Sequence, residues 1–174
     1  GLTPEAKEKG ESLLVENAKE YVIDDAELER IHNAYPVMWK KPEGRPCLCF
    51  IGCPHLTYQQ LCQWTERIET ALKKSGREKV VTKTVLTTAP DIADKFRKTE
   101  MYPRLLATGT TLACICPLMY TSNPLTKKRN IMTNSNKLRT YSMARYYKDD
   151  EILAKISGLE EKGLTMDEPQ GEEG

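Results

Sequence analysis

The chain has almost no excess of charge of either sign: 26 basic residues against 25 acidic ones leave a formal net charge of +1 over 174 residues. That balance excludes a global attraction to nucleic acid or to an anionic membrane, so partners must be sought in local sites. The short basic run Lys127-Lys128-Arg129 has no aromatic stacking residues beside it and reads as a solvated loop. There is no run of 18 apolar residues, and the first residues, from Gly1 to Lys9, are charged rather than signal-like. No membrane partner is expected, and the mature chain should be cytoplasmic. No internal repeat is present.

What is there points to a folded core. A chain of this length buries enough apolar surface to need no disulfide or metal staple. Its six cysteines lie mostly on apolar, strand-like runs. That is the pattern of buried thiols or metal ligands in a reducing compartment, and both readings stand. Residues 1–46 read as two short helices followed by a loop in which Pro36, Pro42, Gly44 and Pro46 interrupt any period. Residues 47–158 alternate strands with helices. Strands are expected near 47–53, 79–86, 111–116 and 129–133, and the longest helix over 56–74, where Leu61, Trp64, Ile68 and Leu72 share a face. This alternation predicts a parallel α/β sheet flanked by helices, with all strand C-termini on one edge. Residues 159–174 read as a mostly disordered tail.

Three motifs close strands with polar groups. Cys47-Leu-Cys-Phe-Ile-Gly-Cys-Pro-His55 is an apolar run ending in Gly52-Cys53-Pro54-His55. Thr111-Leu-Ala-Cys-Ile-Cys-Pro-Leu118 ends its strand on Cys116-Pro117, and Thr133-Asn134-Ser135-Asn136-Lys137 runs from a strand into a helix start. Open α/β sheets place ligands at such strand ends. From residue type alone, Cys53 and Cys116 read equally as strand-end packing, His55 as a solvated side chain, and Asn134 and Ser135 as a helix cap beside a surface Lys137. Cys47-x-Cys49 and Cys114-x-Cys116 do not suggest zinc, because alternate strand residues face opposite ways.

Together and in this order, the three motifs, with Tyr141 behind the last, resemble the C-terminal half of the aconitase X large chain over about residues 3–156. The family's Asp-Thr-Cys reads Cys114-Ile115-Cys116 here. Its Thr-Asn-Ser-Ala-Lys motif, which continues to His-Tyr, reads on through Leu138-Arg139-Thr140-Tyr141. The family comprises hydro-lyases, among them phosphomevalonate and hydroxyproline dehydratases, which use an iron-sulfur cluster and pair a large with a small chain or domain. The resemblance implies an aconitase-like three-layer domain in which Cys53 and Cys116 are cluster ligands. It further implies that His55, Asn134, Ser135 and Lys137 bind a small hydroxy acid or line the cluster. The third ligand is expected from the N-terminal half of the same large chain, and the catalytic serine base from the small subunit or domain. An initial Gly without Met suggests a processed or cloned start. The expectation is therefore a C-terminal domain of a longer enzyme, holding no cluster and inactive by itself. The rival is a non-catalytic small-molecule or partner-binding α/β domain with structural cysteines.

Overall fold

In a computed structural model, which describes residues 3–126, 128–163 and 166, the chain forms two units, 1–36 and 37–174. The expectation of a disordered tail falls mostly outside the described residues, as does Lys127 of the basic loop.

The first unit holds two short helices, α1 (Pro4–Lys9) and α2 (Asp25–Asn33). Thr3 caps α1 by accepting from the Ala6 N–H, and Pro4 occupies its first turn, where no donor is needed. The first of the two expected helices gives way at Gly10 to a single 3-10 turn, Gly10–Leu13. None of these elements has a buried residue, and Leu14, Val15, Tyr21, Val22 and Ile23 are all exposed. In α2 the Arg30 guanidinium, bonded at 2.6 Å, and the Tyr21 hydroxyl hold the Glu27 carboxyl down at about 2.

The second unit is built on five parallel strands: β1 (Leu48–Leu56), β2 (Thr84–Thr88), β3 (Thr111–Ala113), β4 (Ile131–Thr133) and β5 (Arg145–Tyr146). Their spatial order is β3-β2-β1-β4-β5, so the chain winds outward from β1 in both directions. β1 opens with a continuous apolar run, Leu48 to Ile51, and all five residues of β2 are buried, because both faces of the sheet are covered. Cys49, Ile51, Leu86 and Met132 point into one core. There they meet α3 (Tyr58–Ser75), α4 (Pro90–Arg97), α5 (Met101–Ala107) and α8 (Asp149–Ser157). Leu48, Phe50, Val85 and Ile131 point into the other, against α6 (Pro117–Ser122) and α7 (Asn136–Tyr141). The result is a three-layer α/β/α arrangement, as the alternation of elements predicts.

Helix α3 shows how sequence sets an element. Thr57 and Gln60 form a reciprocal capping box at its start, and Gly76, in the left-handed region, ends it. Its apolar stripe, with Leu61, Ile68 and Ala71 fully buried, packs on β1; each large side chain so buried contributes roughly 1.5–3 kcal/mol. Core packing continues past α8, where Leu159 is fully buried.

Three strands are shorter than the sequence suggests; β4 begins at Ile131 rather than near Arg129. β2 begins at Thr84, not near Lys79, because the N–H groups of Val80 and Val81 go to the Thr108 and Ile156 carbonyls at 2.9 and 2.8 Å. β3 stops at Ala113, so Cys116 sits beyond the strand, as the residue preceding α6.

Candidate functional site at the carboxyl edge of the sheet

The strand order reverses at β1, and the crevice outside its end is where open parallel sheets bind ligands. β1 has an unusual end. It pairs in regular register with β4 from Leu48 to Phe50 and with β2 up to Ile51, and then takes five steps to Leu56 while β2 takes two. The excess forms a projecting loop, Gly52-Cys53-Pro54-His55, with a cis Cys53-Pro54 peptide.

Two neighbouring elements hold this loop. From β2, the Thr87 hydroxyl donates to the Gly52 carbonyl at 2.6 Å and the Thr88 hydroxyl to the Leu56 carbonyl at 2.5 Å, so adjacent threonines hold both ends. At Gly52 (φ +114°) a Cβ would lie 2.3 Å from the Thr87 carbonyl oxygen, so only glycine fits there. From the far side of β1, the Ser135 hydroxyl donates to the Cys53 carbonyl. A third link comes from beyond β3: His55 Nε2 lies 3.2 Å from the Ile115 carbonyl, one residue before Cys116. The ends of β1, β3 and β4 are thereby joined.

Cys53 is half-buried against the core that contains Phe50 and Ile131, whereas Cys116 and His55 are exposed. Ser135 is buried and caps α7, accepting from the Leu138 N–H at 3.0 Å. The Asn134 amide donates to Asp149 at 2.9 Å, and Asp149 also pairs with Arg67 at 2.8 Å. Lys137 is exposed. Cys53, His55, Ser135 and the segment leading to Cys116 are thus brought together, while the Asn134 side chain is tied to the start of α8. Sequence reasoning did not find the Asn134, Asp149 and Arg67 network; its one signal is the acidic pair Asp149-Asp150 at a helix start.

The other thiols differ. Cys49 is fully buried, and burial pushes its thiol far up from the ordinary value. Cys62 and Cys114 are half-buried against the first core, and Cys47 is exposed, its thiol 3.5 Å from the Asn130 carbonyl. Cys47 is therefore not the core residue its place in an apolar run suggests.

Among the described residues no three His, Cys, Asp or Glu side chains are grouped so as to hold a metal ion. The loop and the residue before α6 fit part of a soft-metal donor set, with one half-buried thiol and one exposed thiol on the same edge.

This arrangement defines a doubly wound α/β domain whose strand ends carry thiol, imidazole and hydroxyl groups. Residues 47–158 match the model of the aconitase X third domain, and the chain belongs to the aconitase X family. Among solved structures it is similar to aconitase X of Thermococcus kodakaraensis in its holo-form, with a TM-score of 0.60 and 14% identity over 77% of this chain and 33% of that one. At that identity the likeness concerns the fold, and the chain spans about a third of that relative's length. No curated protein sequence matches the chain. No described helix is long and apolar enough to cross a membrane.

Proposed function

We propose that the chain is the C-terminal part of an aconitase X-type hydro-lyase that removes water from a small hydroxy acid of the phosphomevalonate or hydroxyproline type. The observation that carries this reading is the convergence of the family's three motifs on one sheet edge, with the Cys53 loop bonded to both Ser135 and Ile115. In the complete enzyme Cys53 and Cys116 would supply two thiolates to an iron-sulfur cluster. When bound, such a cluster offers an open iron that polarises a departing hydroxyl. His55 and Lys137, both exposed at this edge, would contact the substrate's acid group. Ser135 and Asn134, already bonded within the domain, would hold that edge in shape. A third thiolate would come from the N-terminal half of the large chain, and the serine base from a small subunit or domain.

A non-catalytic binding role is favoured by one observation, namely that the Asn134 and Ser135 side chains find their partners inside the domain. One experiment separates the two. The complete protein, with its small subunit, is purified without oxygen, analysed for iron and sulfide, and assayed for dehydration of phosphomevalonate and of hydroxyproline. The proposal expects stoichiometric iron and sulfide and turnover of one substrate, and the 174-residue chain alone should show neither. A colourless, iron-free complete protein that binds but does not dehydrate would establish the rival.

A further inference from the structure

Away from the site above, a cavity of about 630 Å³ lies between the loop 42–46, residues 81–82 and a wall formed by Arg145, Tyr147, Glu151 and Lys155. None of Cys53, His55, Cys116, Asn134, Ser135 or Lys137 lines it. Several of its charges are already matched. Glu161 takes Arg45 and Arg77 at 2.8 and 3.1 Å, and Glu160 takes Lys155 at 2.6 Å.

Three charges are not matched by an ion pair among the described residues. The Arg145 guanidinium lies 5.7 Å over the Trp39 ring and 5.2 Å over the Tyr147 ring, donates to the Pro42 carbonyl at 3.1 Å, and meets no carboxylate. Glu43 also lines the cavity and has no ion-pair partner among the described residues. Glu151 uses one oxygen to accept from the Lys148 N–H at 2.6 Å. Tyr147 also lines the cavity; it is 9% exposed, and its hydroxyl has no hydrogen-bond partner among the described residues. The Trp39 ring lies beside that of Tyr147, with centroids 6.4 Å apart and planes tilted by 46°; its buried indole N–H has no hydrogen-bond partner among the described residues, and Trp39 itself does not line the cavity. With these charges and the Tyr147 hydroxyl on its wall, the cavity is suited to a polar occupant.

Among the described residues the unmatched set is one cation and two carboxylates, whose complement is one anion and two cations, the charge set of a dibasic amino acid. We propose that this cavity binds such a compound, with its carboxylate on Arg145 and its two amines toward Glu43 and Glu151. Lying over two adjacent rings and bonded to the Pro42 carbonyl, the Arg145 guanidinium is held in place for a planar acid group. The Tyr147 hydroxyl supplies a further donor. The inference does not depend on the hydro-lyase reading, since it uses none of that site's residues.

Titrating the 174-residue protein with L-lysine while following amide shifts tests it. Saturable shifts are expected at Glu43, Arg145 and Tyr147, with none at Cys53 or Ser135. Glutarate and cadaverine, which carry only the acid or only the amine groups, should bind about tenfold more weakly or worse. Glu43→Gln lies on an exposed loop and Tyr147→Phe keeps the ring, so both should fold; each should weaken lysine binding by about three- to tenfold. Cadaverine binding as tightly as lysine would reduce the site to an acidic patch and overturn the proposal. Shifts that never saturate, or an unchanged affinity in Glu43→Gln, would do the same.

Discussion

Gly52 carries a constraint out of proportion to its size. Its positive φ and its approach to Thr87 leave no room for a Cβ, so Gly52→Ala must move either the Cys53 loop or the end of β2. A loss of about 3 kcal/mol is expected in urea unfolding, with Thr88→Val costing about 1–2 kcal/mol through the lost bond to Leu56. Cys49 makes a separate prediction. Because burial raises its pKa, the folded state keeps a proton that the unfolded thiol releases above about pH 8.5. Its contribution is therefore fully present below that pH and is lost as pH rises toward the folded value, at ~1.4 kcal/mol per pH unit. Unfolding free energies measured from pH 7 to 10 should stay level up to about pH 8.5 and fall along this slope above it, and Cys49→Ala should flatten the fall.

At the scale of elements, α3 was legible because its apolar spacing, its capping residues and its closing glycine all agree. Thr57→Ala removes one half of the capping box and should cost about 1 kcal/mol, read as a lower urea midpoint with an unchanged m-value. Four of the five strands were legible, in place more than in length. The segment around Val80 and Val81 has strand-like composition, yet its donors bond to a helix end and to a turn, a tertiary choice that local sequence does not encode. β5, with two residues, and α6, with six, are too short to leave a period. The candidate site was legible as residue types at strand ends. The bonds that fix its shape were not, because Ser135 to Cys53 and His55 to Ile115 each join residues distant in the chain.

Across the whole molecule, charge balance and the lack of long apolar runs left the function to local geometry, and that geometry has two poles. The carboxyl edge of the sheet carries the three strand-end motifs within the stretch that matches the aconitase X third domain, while the polar cavity beside Arg145 and Tyr147 uses none of those motifs. The central claim is that Cys53 and Cys116, and not the other thiols of this chain, are the ligands this domain brings to the complete enzyme. The most direct measurement is iron and sulfide content, with the low-temperature EPR spectrum, of the complete protein purified anaerobically in Cys53→Ser, Cys116→Ser and Cys47→Ser forms. The account predicts that the first two lose the cluster and its signal, while Cys47→Ser, exposed like Cys116 but outside the edge, retains both. Full iron and an unaltered spectrum in Cys53→Ser or Cys116→Ser would contradict it.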